Sequence, residues 1–223
     1  MILLSDFYEL LNIHPKILVA FEETKQSLIE RHNRMLIETN KTPSFKEFYN
    51  NTISNFIHGA FIIIRDTEII ATSERLRLRT ANINDYDFID AAEKHEDSTS
   101  WVNNWPLGLR IEKFGDADFF QTIVETNNGK PVGFIDFRDM LHEQQLELKR
   151  TVIVEKGKGY GKEAMYLSQK LAFEVFNKNR LHLGTKKANV RAQHVYKSTG
   201  FTLSNPEKIT KFHIFKESYF ASK

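Results

Sequence analysis

The 223-residue sequence contains no cysteine. This absence excludes a disulfide framework, a thiolate metal site and a thiol nucleophile. The sequence also has no apolar run near the roughly 18 residues that a membrane-spanning helix needs. Its N-terminus lacks the basic start, apolar core and small-residue cleavage site of a signal peptide. We therefore expect a cytoplasmic protein with no membrane partner.

The sequence has little excess of either charge, because 31 Lys and Arg residues stand against 29 Asp and Glu residues, a formal net charge of +2. A dedicated nucleic-acid-binding domain carries a clearly basic face, so we expect no nucleic-acid partner. The histidines His142, His182 and His194 are not spaced as metal ligands, and we expect no metal. Hydrophobic residues make up 41% of the chain, which is typical of a globular protein.

Helical patterning dominates the first third of the chain. Pro15 suits the first turn of a helix that follows His14. Ser44, followed three residues later by Glu47, is a capping-box signature that predicts the start of a second helix. Gly59 is a candidate for the end of that helix.

The pattern then changes to strand character. Phe61 to Ile64 is an apolar run typical of a buried strand. The polar break at Ala71 to Glu74 is the predicted boundary. We therefore expect a helical N-terminal extension over residues 1–73 and a second domain over residues 74–223.

Strands and helices mix in the second domain. Arg75–Thr80 alternates as a strand and precedes a helix from about Asn82 to Lys94. Two apolar runs around Asn127–Gly129 predict a hairpin. The strand "LELKRTVIV", a glycine-rich turn with its helix, the strand "NRLHLGT", a helix ending at Gly200 and the closing strand "KFHIFKESYF" follow. The order predicts a mixed α/β (α+β) fold.

The glycine-rich turn lies between a β-branched run and a helix in "VIVEKGKGYGKEAMYLSQKLAFEVF". Gly157, Gly159 and Gly161 let backbone N–H groups converge on a ligand, and the positive end of the helix adds to them, so we expect a phosphate. A nucleotide triphosphate loop fits poorly, because Lys162 is followed by Glu163. A dinucleotide fingerprint also fits poorly, because the spacing is Gly-x-Gly-x-Gly and the turn comes late in the chain.

Lys156–Gly161 resembles the Gln/Arg-x-x-Gly-x-Gly/Ala signature of the GNAT family of N-acetyltransferases, with Lys156 in the first place. "NVRAQHVYKSTGF" resembles the family's Asn-x-x-Ala-x-x-x-Tyr-x-x-x-Gly-Phe segment. "ERLRLRTANINDYDFIDA" is similar to the opening strand and helix of the branch that contains ribosomal-protein and spermidine acetyltransferases. The resemblance covers about residues 74 to 219 and implies a mixed, mostly antiparallel central sheet flanked by helices.

The resemblance also implies the donor, acetyl-coenzyme A (acetyl-CoA), and the residues that bind it. The strand near Val152 to Val154 would pair with the pantetheine arm, and one of its N–H groups would stabilise the oxyanion. The turn would bind the pyrophosphate. The implied binding residues are Val152, Ile153, Val154, Lys156, Gly157, Lys158, Gly159, Tyr160, Gly161, Lys162 and Asn189.

Two side chains carry the expected proton transfers. By the resemblance, Tyr196 is the general acid for the departing thiolate, because a phenol is protonated at neutral pH. The general base is a carboxylate, for which Glu147 is preferred to Glu125 and Asp136.

The acceptor implied by the resemblance is a primary amine of a small molecule or peptide. Trp101 and Trp105 are candidates to flank it. The N-terminal extension is interpreted as a helical cap, with an acceptor-selecting lid or a docking surface for a partner or second subunit, and hence a homodimer, as alternatives. The alternative function is a non-catalytic acyl-CoA-binding sensor or protein-interaction module.

Overall fold

The computed structural model describes residues 4–39, 44–205 and 209–223. The α-helices in these ranges are α1 Leu4–Ile13, α2 Pro15–Thr39, α3 Phe45–Ile63, α4 Tyr86–Lys94, α5 Glu96–Thr99, α6 Leu107–Phe114, α7 Tyr160–Lys170, α8 Val190–Ser198 and α9 Lys216–Ala221. The strands are β1 Ile69–Thr72, β2 Leu76–Thr80, β3 Phe119–Thr126, β4 Pro131–Arg138, β5 Gln145–Ile153, β6 Arg180–Lys186, β7 Thr202–Asn205 and β8 Ile209–Phe215.

The chain divides into two compact units. The helical unit comprises Met1–Arg65 together with Trp105–Asp116, and the sheet unit comprises Asp66–Asn104 together with Ala117–Lys223. The helical unit therefore takes α6 from the middle of the sequence and joins it to the N-terminal helices. The described helices include none that is long and apolar enough to cross a bilayer.

The helix starts in the helical unit follow the sequence signals. Helix α2 begins at Pro15, as predicted. Helix α3 begins after a complete capping box, in which the Glu47 backbone N–H donates to Ser44 Oγ at 3.2 Å and the Ser44 N–H donates to the Glu47 carboxylate at 2.9 Å. Both predictions are confirmed, because both signals act within one turn of helix.

The predicted end of α3 at Gly59 and the predicted strand at Phe61 to Ile64 are wrong. The helix continues to Ile63. A Cβ atom at Gly59 would lie 1.7 Å from the carbonyl oxygen of Ile111 on α6. This glycine therefore allows two helix backbones to approach closely, and the apolar run after it is helical.

The sheet unit is built on one eight-stranded sheet in the order β1-β2-β3-β4-β5-β6-β8-β7. All neighbouring strands are antiparallel except β5 and β6, which are parallel. The expected mixed, mostly antiparallel sheet with flanking helices and a helical N-terminal extension is confirmed. So is the hairpin between β3 and β4, where Gly129 has φ +86°.

Short elements account for the other differences from the sequence prediction. Strands β1 and β7 are each four residues long and give too little alternation to be recognised. The predicted closing strand ends at Phe215, and its remaining residues form α9. The apolar face of the sheet packs against α7 and the π-helical turn Leu171–Val175 that follows it.

Candidate active site

The site lies where β5 and β6 separate. Their parallel pairing runs from Gln145 opposite Arg180 to Leu148 opposite Leu183 and then stops. Both strands continue, β5 to Ile153 and β6 to Lys186. The edge of β5 beyond Leu148 that faces β6 therefore has no strand partner among the described residues. Such an edge offers backbone N–H and C=O groups to a ligand.

The pairing of β5 with β4 decides which N–H groups face this opening. The Val154 N–H donates to the Val132 carbonyl on β4 at 2.9 Å. Successive residues of a strand direct their backbone groups to opposite sides, so the Ile153 N–H faces the separation from β6. The Ile153 carbonyl accepts a hydrogen bond from Lys156 Nζ at 2.5 Å.

The glycine-rich turn follows β5. Gly157 and Gly159 both have φ +78°, a left-handed conformation that favours glycine. Helix α7 begins directly after Gly159, and no side chain caps its N-terminus. A Cβ atom added at Gly157 or Gly161 would meet no described atom within 4 Å. The space above the turn is therefore open to a ligand, and the uncapped helix N–H groups favour an anionic one.

Arg75, which directly precedes β2, contacts this turn. The sequence pattern did not predict this role. The Arg75 Nη1 donates to the Lys158 carbonyl at 3.0 Å, and its Nε donates to the Glu163 carboxylate on α7 at 2.8 Å. Its guanidinium also lies over the Tyr160 ring, 5.2 Å from the centroid. These contacts fix the turn relative to the helix. The residues involved are more than 80 positions apart, so no local pattern could reveal them.

The turn lines a cleft of about 840 Å³, which we name the turn cleft; it extends from Asp97 on α5 past Ile153 to Tyr196 on α8. Its charged lining consists of three cations, Lys156, Lys162 and Arg191, and two carboxylates, Asp97 and Glu155, a small excess of positive charge. Burial and the charge of Arg191 hold the pKa of the Lys156 ammonium below its ordinary value. An anion bound in this cleft would raise the pKa of Lys156 again, because it stabilises the charged ammonium.

Helix α8 positions the predicted acid. Asn189 caps the helix, since its Oδ1 accepts a hydrogen bond from the Ala192 N–H at 3.1 Å. The Tyr196 ring packs against Phe212 of β8, with 5.6 Å between ring centroids. Burial raises the pKa of Tyr196 to about 12. The phenol therefore keeps its proton at neutral pH and can donate it.

A second cleft of about 590 Å³, which we name the sheet cleft, lies over β5, β6 and β8. Trp101, Val102, Thr151, Asn189 and Tyr196 line both clefts. The two clefts therefore meet at these residues. A reaction between a ligand in one cleft and a ligand in the other can take place there.

The preferred base, Glu147, lines the sheet cleft, with Lys149 Nζ 3.3 Å from its carboxylate. The two other candidate carboxylates are buried in ion pairs. Glu125 binds Arg77 at 2.6 Å and Arg79 at 2.8 Å. Asp136 accepts from Gln121 at 2.5 Å and lies 3.5 Å from Arg150. Neither lines either cleft, whereas Glu147 has access to one.

Most of the predicted binding residues come together. Those lining the turn cleft are Val152, Ile153, Lys156, Gly157, Gly159, Tyr160, Gly161, Lys162 and Asn189. Val154 and Lys158 do not line it: the Val154 N–H is bonded within the sheet, and Lys158 Nζ pairs with Glu155 at 2.5 Å. Trp101 lines both clefts, whereas Trp105 belongs to the helical unit and lies beside Arg110. No group of His, Asp or Glu in the described residues is arranged to hold a metal ion.

Comparisons with solved structures give the same fold. Spermidine N-acetyltransferase from Vibrio cholerae, crystallised with CoA and spermine, has a TM-score of 0.58 at 17% identity, covering 65% of this chain and 98% of that chain. A GNAT-family acetyltransferase from Bacillus anthracis has a TM-score of 0.54 at 19% identity, covering 66% of this chain and 98% of that chain. No curated protein matches the sequence.

The family model described as an acetyltransferase (GNAT) domain matches residues 75–202, more than half of the chain. The matched range includes the separated strands, the glycine-rich turn and Tyr196. The chain therefore belongs to the GNAT family of acetyl-CoA-dependent N-acetyltransferases.

Proposed function

We propose that the protein transfers an acetyl group from acetyl-CoA directly to a primary amine of a small molecule or peptide. The meeting of the turn cleft and the sheet cleft at Thr151, Asn189 and Tyr196 carries this proposal. The donor occupies the turn cleft and the acceptor enters through the sheet cleft. Such an arrangement brings the two reacting groups together without a covalent enzyme intermediate.

Donor binding uses backbone groups and fixed charge. The N–H groups of Gly157, Gly159 and Gly161 bind the pyrophosphate with the N-terminus of α7. The unpaired edge of β5, where the backbone of Ile153 faces the separation from β6, binds the pantetheine arm as an added strand. The open space above Gly157 and Gly161 supports this assignment, because neither glycine is required there by contact with a described atom.

The chemistry follows from what faces the meeting point. Acetyl-CoA supplies a thioester, which an uncharged amine can attack. The Ile153 N–H, directed away from β4, stabilises the negative charge that develops on the carbonyl oxygen; removing one such donor typically lowers kcat by about 10²- to 10³-fold. Tyr196 donates its proton to the thiolate that leaves. Glu147 accepts the proton of the amine through water.

The proposal also assigns the reaction to one part of the chain and to a cell compartment. We assign the reaction to residues 74–223, preceded by a mainly helical N-terminal extension over residues 1–73. We place the protein in the cytoplasm. The Vibrio cholerae neighbour was crystallised with spermine, so screening for an acceptor starts with small primary amines.

A single methyl group tests donor binding. Gly161 has no positive φ and no described atom within 4 Å of an added Cβ, so Gly161→Ala is compatible with the fold and favours the helix by up to about 1 kcal/mol. The methyl group would nevertheless fill the space above the turn. We expect calorimetry to show acetyl-CoA binding to the wild type and at least tenfold weaker binding to Gly161→Ala, at an unchanged or higher melting temperature.

Two results would count against the proposal. If the wild type did not bind acetyl-CoA, the turn would not be a donor site. If it bound acetyl-CoA tightly but released no thiol with any amine, the protein would be an acyl-CoA sensor or interaction module instead of an enzyme.

A further inference from the structure

The sheet cleft has an excess of positive charge. Its lining contains one carboxylate, that of Glu147, and five cationic side chains, those of Lys149, Arg150, Arg180, Lys186 and Lys211. A concave surface with charge of one sign raises the local concentration of ligands of the opposite sign. The cleft through which the acceptor enters therefore selects by charge.

Two of the five cations are compensated within the protein. Arg150 lies 2.7 Å from Glu93 and 3.5 Å from Asp136. Lys149 lies 3.3 Å from Glu147. Both positive charges are therefore offset by carboxylates.

The other three cations have no carboxylate partner among the described residues. Lys186 Nζ donates to the neutral Ser100 carbonyl at 2.7 Å, and Arg180 Nη1 lies 3.4 Å from the Gln145 side-chain oxygen. Arg180 Nε is buried without a hydrogen-bond partner. The hydrogen-bonding capacity of the Arg180 guanidinium is therefore not fully used within the described residues.

Strand geometry places these three cations on one face. Arg180 and Lys186 are six residues apart on β6, and side chains two residues apart share a face of a strand. Lys211 of β8 lies directly opposite Gly184, which belongs to the same face. The cations thus form a row of about 20 Å, at roughly 3.3 Å per residue. Glu147 lies opposite His182 on this face.

We infer that the acceptor is a primary amine that also carries an anionic group, a carboxylate or a phosphate, which the row of Arg180, Lys186 and Lys211 attracts and which Lys186 and Lys211 bind. The inference rests on the proposed function and specifies its substrate class. The anion binds to the row of cations while the amine lies near Glu147 and the meeting point of the clefts. A polyamine brings only positive charge into this cleft, where like charges repel.

Matched acceptors test the inference. Thiol release is measured for glycine against glycinamide, for glucosamine 6-phosphate against glucosamine, and for spermidine. We expect the anionic member of at least one pair to have a kcat/KM at least tenfold higher than its partner and than spermidine. The pair that shows the preference identifies the anion as carboxylate or phosphate. The preference should shrink as salt rises, because exposed charges are screened.

Two neighbouring lysines supply the variant and its control. Lys186 lines the sheet cleft, whereas Lys187 lines neither cleft. We expect Lys186→Gln and Lys211→Gln each to raise KM for the anionic acceptor several-fold and to leave the Kd for acetyl-CoA unchanged. Lys187→Gln removes the same net charge and should leave both quantities unchanged.

The outcomes separate this inference from the proposed function. Turnover in which spermidine, glycinamide or glucosamine is the better acceptor would overturn the inference alone. So would a weaker Kd for acetyl-CoA in Lys186→Gln and Lys211→Gln, because the lysines would then serve the donor. Calorimetric titration of the same pairs into CoA-saturated protein gives a readout without turnover, and equal affinities there would also overturn it.

Discussion

At the scale of single residues, Tyr196 has the two properties that a proton donor to a thiolate needs. It lines both clefts, and its pKa of about 12 keeps it protonated. Tyr196→Phe removes the proton and keeps the ring that packs against Phe212. We expect kcat to fall by about 10²- to 10³-fold, with the calorimetric Kd for acetyl-CoA unchanged.

The matched control is Tyr166→Phe. Tyr166 is exposed on α7, and its hydroxyl lies 3.5 Å from the Ser198 carbonyl. Its loss should leave kcat unchanged. A fall in kcat of similar size in both variants would show that the effect comes from general destabilisation of the sheet unit.

The raised pKa of Tyr196 also predicts a pH dependence of stability. The unfolded chain loses this proton near pH 10 and the folded chain near pH 12, so the stabilisation is complete below pH 10 and is lost as the pH rises through 12. Between pH 9 and pH 11 the wild type should lose about 1 kcal/mol more free energy of unfolding than Tyr196→Phe. Urea titrations at both pH values measure the difference, and parallel losses would contradict the assigned pKa.

At the scale of elements, β2 and α7 act together on the glycine-rich turn through Arg75 and Glu163. We expect Arg75→Met and Glu163→Gln each to weaken acetyl-CoA binding several-fold, because each removes the Arg75–Glu163 contact that helps to fix the position of the turn. The double variant should lose less affinity than the sum of the two single losses, because both changes remove the Arg75–Glu163 contact. Calorimetry on the four proteins checks this, and additive losses would show that the two residues act separately.

The same elements show how far the sequence could predict the site. The hairpin at Gly129 and the glycine-rich turn depend on residues within a few positions of each other, and both were predicted. The Arg75 contacts join the start of β2 to α7. The ion pairs that make Asp136 and Glu125 poorer candidates for the base also involve residues on other strands. Such contacts are set by how strands align, and a local pattern does not record them.

At the scale of the whole molecule, Gly59 tests how the helical unit is built. Ala is normally about 1 kcal/mol more favourable than Gly inside a helix. In Gly59→Ala, however, the new Cβ would lie 1.7 Å from the Ile111 carbonyl oxygen. We therefore expect the free energy of unfolding to fall by about 1–3 kcal/mol.

Scanning calorimetry of Gly59→Ala beside Gly161→Ala checks this prediction. The two variants make the same chemical change in helices, one in a crowded position and one in open space. If both melted at the wild-type temperature or above it, the close approach of α3 and α6 would be wrong.

The composition of the helical unit from two separate pieces of chain has a consequence for synthesis. A ribosome delivers residues in order, and Asp66–Asn104 must emerge between α3 and α6. The face of α3 that contacts α6 therefore lacks this partner while these residues are translated. Domains generally fold as units, with the N-terminal one first during synthesis, but here the N-terminal unit cannot be completed until residue 116 has left the ribosome.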